Sequence, residues 1–336
     1  MTSKTGILAA LLAAALLYWA LRNAPLTEIA QALRKVSLTQ LGLLFLVNTL
    51  FLALTVLRWW TIARADVEDA RLLDLFVVRL AAFGVSYFTP GPQVGGEPLQ
   101  VIYMKQRYGT TFMRATATVV VDRLLELLAN FVFLVIGSVL LLRHGLLRGA
   151  SSMPPLAAFV IAPLLALPVV HVYLLRKGRY PVSALLGRFT THGGLAKASR
   201  FIRASEHLAG RFCQRRPRQL VGAIAISLLA CIVAVMEYAL ITSFLHTGLD
   251  VWQVLAAWTA GWISFLLPLP GGLGALEASQ VLALGAFGVA PVSALGVTFI
   301  LRGRDLVFGG IGLLLAATSV RHFTTQRNSG PPVSLT

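Results

Sequence analysis

Two glutamates sit in apolar sequence, each a fixed step beyond a proline-glycine break. Glu97 follows Pro90-Gly91-Pro92-Gln93-Val94-Gly95-Gly96, and Glu277 follows Pro270-Gly271-Gly272-Leu273-Gly274-Ala275-Leu276. Downstream of each comes a basic-acidic pair, Arg123 with Glu126 and Arg302 with Asp305. These residue types suit a polar site inside a bilayer. A desolvated carboxyl can carry a proton, and the planar guanidinium fork grips phosphate at two points. Glycine amides left open at a helix start can hold an anion or a phospholipid head group.

The other charges in the apolar stretches are Asp122, Glu237 and Arg304. An ionised group at the centre of a membrane helix costs ~2.5 to 3.5 kcal/mol, so these nine need partners or a wet cavity. Arg123 with Glu126 and Arg302 with Asp305 are three residues apart and share a helix face. Asp122, Glu126 and Asn130 follow at intervals of four and draw a second polar stripe. Two readings stand side by side: ion pairs that glue a helix bundle, or a duplicated site built on the two breaks. Glu97 and Glu277 likewise either cap half-helices or couple protons. Glu237 is expected to be buried against a partner.

The elements that must position these groups follow from composition. The chain of 336 residues is 57% hydrophobic and 12% charged, with mean hydropathy +0.78. This is far more apolar than a soluble domain and predicts an all-α polytopic membrane protein. Apolar runs are Gly6 to Leu21, Thr39 to Trp60, Leu75 to Pro90, Leu99 to Met104, Ala115 to Leu142, Pro155 to Leu175, Leu220 to Leu245, Trp252 to Pro268, Gly274 to Val289 and Pro291 to Val320. The first is read as a retained anchor rather than a signal peptide. The pieces beside the two breaks are too short to span ~30 Å singly and are read as re-entrant pairs.

About six spanning helices plus two re-entrant broken pairs place 20 Lys and Arg residues on the cytoplasmic side, Arg58 among them. Only Arg22, Arg34, Lys35, Arg143 and Arg148 fall outside. That asymmetry sets both termini in the cytoplasm. The two halves, about 39–142 and 220–320, then run in opposite directions, an inverted repeat of the kind that builds a midplane site and works by alternating access. The expected domain is a single transmembrane unit over 1–320, with a basic cytoplasmic loop at 176–218 and a disordered tail at 321–336.

The net charge of +16 is explained by this topology, not by nucleic acid. The 176–218 loop holds eleven basic residues against Glu206 alone. Its part from Leu195 to Arg215 reads as an amphipathic helix with Phe201, Leu208 and Phe212 on one side, suited to an anionic leaflet. Cys213 and Cys231 give neither a disulfide nor a zinc site. The histidines show no metal spacing. No catalytic constellation, Walker loop or dinucleotide fingerprint is present, so no enzyme activity, metal or cofactor is expected.

The run Gly91-Pro92-Gln93-Val94-Gly95-Gly96-Glu97-Pro98-Leu99-Gln100 with Asp122-Arg123, and the run Pro270-Gly271-Gly272-Leu273-Gly274 with Glu277 and a distal arginine-aspartate pair, resemble the flippase-like integral membrane family. That family is also found as the membrane half of lysylphosphatidylglycerol synthases of the multiple peptide resistance factor type, and the resemblance covers nearly the whole chain. It implies a multi-pass protein of the bacterial inner membrane with re-entrant helices around a lipid-accessible cavity. The implied cargo is aminoacylated phosphatidylglycerol, a hopanoid-type lipid or a polyprenyl-linked sugar. Pro92 stands where the second loop has Gly272, which stiffens the first loop.

The expectation is therefore a lipid flippase. Gly95, Gly96, Gly271, Gly272 and Gly274 would shape the loops, Glu97 and Glu277 would sit at half-helix starts, and Arg123 and Arg302 would meet the head group. Asp122, Glu126, Arg304 and Asp305 would support them. The sequence ends at Thr336 without a soluble transferase domain, so an aminoacyl cargo implies a separate lipid-modifying enzyme. Two rivals remain: a carrier for a small soluble anion, and a scaffold that recruits a lipid-modifying enzyme through the 176–218 loop.

Overall fold

The computed structural model describes residues 34, 36–89, 95–144, 166, 169–189, 194–265 and 272–328. All regular structure among these is helical. The run Gly6 to Leu21, most of Pro155 to Leu175, Gly271 and the remainder of both proline-glycine breaks lie outside the described residues.

The first half holds α1 (Leu38–Ala63), α2 (Leu72–Phe88), α3 (Glu97–Tyr108) and α4 (Phe112–His144). Two helices follow, the short α5 (Pro181–Phe189) and the longer α6 (Gly194–Arg215). The second half holds α7 (Pro217–Phe244), α8 (Val251–Ser264), α9 (Ala275–Ala286) and α10 (Pro291–Asn328). Helix α10 thus runs to Asn328, into the segment expected to be a disordered tail.

Local chemistry sets these boundaries. Ser37 and Asp250 each form a reciprocal capping box, with Gln40 and Gln253, that satisfies amides at the starts of α1 and α8. Gly109, at φ +64°, closes α3. At 26 and 28 residues, α1 and α7 exceed the ~20 needed to cross ~30 Å, and both are apolar enough to do so. Helices α2, α3, α8 and α9 have 17, 12, 14 and 12 residues, so each falls short of that length alone.

The two halves repeat one packing plan. In each, the long first helix packs on the second, the second on the third and the third on the fourth. The halves then exchange partners: α2 lies against α10, α8 lies against α4, and α1 lies along α7. Each half keeps its own apolar core, around Trp59, Leu75 and Met104 in the first and around Ile241, Leu284 and Val297 in the second.

The α1–α7 contact is antiparallel. Asn48 bonds Glu237 and Arg58 bonds Ser227, so ten steps forward on one helix match ten steps back on the other. A spacing of 179 residues relates Asn48 to Ser227 and Arg58 to Glu237, and the same spacing relates Arg123 to Arg302 and Glu126 to Asp305. The two α1–α7 hydrogen bonds are therefore images of one another under the repeat.

The exchanged contacts depend on small residues, which let helix backbones approach closely. A Cβ on Gly312 would lie 2.1 Å from the Leu80 carbonyl oxygen, and one on Gly84 would lie 2.6 Å from that of Gly309. Gly137 on α4 meets Thr259 on α8 in the same way.

Outside, the bundle is apolar. Leu46, Ile232 and Leu314 are 64%, 53% and 70% exposed, while Arg58, Arg79 and Arg302 are 2%, 7% and 7% exposed. Apolar side chains outward and charges inward is the distribution a hydrocarbon solvent selects.

The predicted amphipathic helix exists as α6, but its apolar face meets protein. Ala209 and Cys213 are buried and Phe212 is half-buried in a cluster with Ile62, Leu125 and Leu220. Glu206, the lone acid of the basic segment, accepts the Val182 and Ser183 amides at 3.0 and 2.7 Å and so caps α5. The side chain of Phe201 lies outside the described set.

A Cβ on Gly96 would lie 2.1 Å from the Ala82 carbonyl oxygen. Gly96→Ala should destabilise the protein by about 1–3 kcal/mol through overpacking, read as a lower unfolding temperature in detergent. Gly222 on α7 faces open space, and Gly222→Ala should leave that temperature unchanged or raise it slightly.

Candidate functional site

Each half-helix start is clasped by the arginine the sequence placed downstream. Glu97 is the first residue of α3 and Gly96 its N-cap, so the carboxylate meets the positive end of the helix dipole. Glu97 accepts the Gly95 amide at 2.8 Å through Oε2 and Arg123 Nε at 2.8 Å through Oε1. The Gly96 amide donates to Ser86 Oγ at 2.8 Å, which ties the loop to α2.

In the second half Glu277 lies in the first turn of α9 behind Gly274, whose φ is +76°. Its two carboxylate oxygens accept from Arg302 at 3.0 and 3.2 Å. Arg302 also donates to the Gly272 carbonyl at 2.9 Å and, across the halves, to the Tyr87 hydroxyl at 3.5 Å. Gly272 itself sits at φ +65°, the left-handed region that favours glycine.

The expected pairing of Arg302 with Asp305 is replaced. Asp305 accepts from its chain neighbour Arg304 at 2.9 and 2.7 Å, and Arg304 also reaches Glu237 at 2.8 Å. Glu237 gains Asn48 as well. The expected Arg123–Glu126 pair does form, at 2.8 Å.

Glu126 belongs to a larger cluster. Asp122 accepts from Arg58 at 2.6 Å and from Arg79 at 2.7 Å, and Glu126 accepts from the same two arginines at 2.7 and 2.9 Å. The sequence reading counted Arg58 among the cytoplasmic charges. It is instead among the most buried side chains of the protein, which leaves the inside-to-outside split at 19 to 5. One signal pointed to it: Leu54, Arg58 and Ile62 follow at intervals of four on the buried face of α1.

A cavity of about 280 Å³ opens between the two halves. Its polar side carries Arg123, Glu126 and Asn130 from the first half and Glu237, Arg304 and Asp305 from the second. Facing these are Phe51, Phe83, Trp258, Trp262, Phe265 and Phe308. Trp258 and Trp262 are braced edge-on by Phe133 and Phe131, with centroids 6.2 and 5.9 Å apart.

The predicted residues therefore divide into two groups. Arg123, Glu126, Arg304 and Asp305 face the cavity. Gly95, Gly96, Glu97, Asp122, Gly272, Gly274, Glu277 and Arg302 stand behind its lining and hold the loops and helices that form it. Cavity residues missed from sequence are Asn48, Arg58, Ser227, Tyr238 and Gln280. The Tyr238 hydroxyl donates to Gln280, whose amide donates to the Ala257 carbonyl at 3.1 Å. No group of three or more His, Cys, Asp or Glu residues suited to a metal occurs among the described residues.

The family described as the lysylphosphatidylglycerol synthase TM region matches residues 6–312. The chain belongs to this family. It is also 27% identical over 292 residues to a UPF0104 membrane protein of Methanothermobacter thermautotrophicus, an alignment covering 82% of this chain and 83% of that protein. The family match over residues 6–312 spans both proline-glycine breaks and every arginine of the network.

Removing one partner from a buried ion cluster strands the others, at ~3–5 kcal/mol. Arg58→Met should accordingly lower the unfolding temperature sharply, and Arg58→Met with Asp122→Asn should recover part of the loss. Arg107→Met, which breaks the exposed Arg107–Asp74 pair at 3.3 Å, should change it little.

Proposed function

We propose that the protein is a lipid flippase or transporter of the cell's inner membrane, moving a lipid with a charged or sugar head group between leaflets by alternating access. The cavity carries the reading. It joins a strip of ionic and amide groups to an aromatic and aliphatic wall, inside a bundle whose outer surface is apolar. That pairing matches an amphiphile, with head group on the polar strip and chains along the wall. Membership of a family defined on the membrane region of a lipid synthase is consistent with it.

Several observations support the finer layout. Corresponding helices α1 and α7 run antiparallel and share images of one hydrogen bond, as an inverted repeat requires. The pairs α2/α3 and α8/α9 are individually short and interrupted by glycine-rich segments, as re-entrant pairs would be. The charge asymmetry supports an orientation with both termini in the cytoplasm.

In this scheme Arg123, the more open of the two expected head-group arginines, meets a phosphate together with Arg304. Arg302, Glu277 and Glu97 set the loops that the chamber rocks against. The protein's role is non-catalytic, its partners are phospholipid, hopanoid-type or polyprenyl-linked lipids, and a separate enzyme modifies the cargo where modification is needed. Helices α5 and α6 brace the bundle, which favours transport over a scaffold that recruits through the basic segment.

Reconstituted into vesicles of phosphatidylethanolamine and phosphatidylglycerol, the full chain should move fluorescent phosphatidylglycerol between leaflets faster than protein-free vesicles do. Arg123→Gln should slow this at least about tenfold, the kinetic equivalent of one charge-assisted hydrogen bond. Movement no faster than in protein-free vesicles would count against the flippase reading. The thiol of Cys231 lines the cavity and reports the class of cargo. Lipid should shield it from a small thiol reagent, whereas shielding by soluble phosphate alone would favour the soluble-anion carrier.

A further inference from the structure

Among the described residues, the ion pairs of α1–α4 and α7–α10 balance except at one place. Arg58, Arg79 and Arg123 meet Glu97, Asp122 and Glu126, three charges against three, and Arg302 meets Glu277. In the remaining cluster a single arginine, Arg304, faces two carboxylates that have no other cation among the described residues, Glu237 at 2.8 Å and Asp305 at 2.7 Å. With both ionised, this cluster holds one uncompensated negative charge inside the hydrocarbon zone, where such a charge is costly.

A second observation falls on the same cluster. Glu237 is 1% exposed, its Oε2 accepts from Arg304 and Asn48, and its Oε1 is buried without a hydrogen-bond partner. Every other carboxylate of the balanced groups uses both of its oxygens. A proton on Oε1 would neutralise the excess and convert an orphaned acceptor into a donor on a residue that lines the cavity.

We infer that Glu237, with Arg304 and Asp305, holds one exchangeable proton in the cavity, and that this proton couples to lipid movement; the coupling, though not the site, rests on the flippase reading. The surroundings select a proton over a metal cation. The Arg304 guanidinium sits against Oε2 and repels a metal ion, whereas a proton needs only the free oxygen. Charged groups that line the cavity with Glu237 are Arg304 and Asp305 from α10, Arg58 from α1, and Arg123 and Glu126 from α4. On the remaining sides α8 presents Trp258 and Trp262, and α9 presents Gln280 bonded to Tyr238. The proton enters from water on one side when the cavity opens there. It leaves to water on the other side, so the cycle carries one proton and no other bond changes.

Difference infrared spectra across pH, taken on the full chain in lipid nanodiscs, read the site directly. Wild type should show the C=O stretch of a protonated carboxyl. Glu237→Gln and Asp305→Asn should both abolish it, because each leaves Arg304 with a single acidic partner. Glu68→Gln, at an exposed turn, should leave it intact. A spectrum without the band, or a band unchanged in Glu237→Gln, overturns the site; stabilisation of such a protein by sodium would assign it to a metal cation instead.

In the vesicle assay wild-type transport should change by up to about tenfold per pH unit across the titration, the limit for one proton, and transport by Glu237→Gln should be insensitive to pH. Wild-type transport that is flat with pH overturns the coupling even if the band is present. Absence of lipid movement at every pH would count against the flippase reading, and the infrared band would then decide the proton site by itself.

Discussion

The cost of charge in hydrocarbon shapes this protein more than any other term. Several guanidinium and carboxylate groups lie where apolar side chains would be cheaper, and each must find an opposite charge at hydrogen-bonding distance. Because the partners come from different helices, satisfying the charges fixes the helices. Asp122 on α4 is reached by Arg58 from α1 and Arg79 from α2, so three helices are pinned at one carboxylate. Hydrophobic burial cannot supply that specificity, since lipid tails are as apolar as leucine.

The same constraint acts at the starts of α3 and α9. A half-helix starting at membrane depth leaves amides and a positive dipole end unsatisfied. Glu97 answers with a carboxylate on the Gly95 amide, and Arg123 then neutralises the carboxylate. On the other side Arg302 neutralises Glu277 and donates to the carbonyl of Gly272. Two glycine-rich interruptions are thereby fastened to the fourth helix of their own half, so tilting that helix moves the loop with it.

Much of this was legible in the sequence, and the part that was not has a physical reason. Apolar runs located the helices because lipid solvation imposes long uniform segments: the run Leu220 to Leu245 became Pro217–Phe244, and Thr39 to Trp60 became Leu38–Ala63. The echo of Glu97 and Arg123 in Glu277 and Arg302 reported a real contact in both halves. The partner of Arg302 was misassigned because three-residue spacing makes Asp305 a neighbour by geometry alone. The glutamate 25 residues upstream offers two oxygens and the helix start that needs neutralising. Arg58 was misread because it stands near Arg64 at the end of an apolar run, where an arginine ordinarily flanks a membrane helix. Only its tertiary partners, Asp122 and Glu126, distinguish it from a flanking charge.

The two halves are not charge-symmetric, and the asymmetry falls at the cavity. Arg58 and Glu237 are 179 residues apart and bond equivalent partners, Ser227 and Asn48, across the same α1–α7 seam. One is a cation, locked by two carboxylates. The other is an anion sharing a single arginine with Asp305. A symmetric pair of cations or of anions at this seam would repel across the cavity, and a fully matched pair would have no reason to change state. With the proposed proton site, one locked member would give the first half a rigid anchor and one under-compensated member would leave the second half a group whose charge can vary. In the proposed transport cycle the halves would move against each other while keeping the ion pairs that hold each half folded.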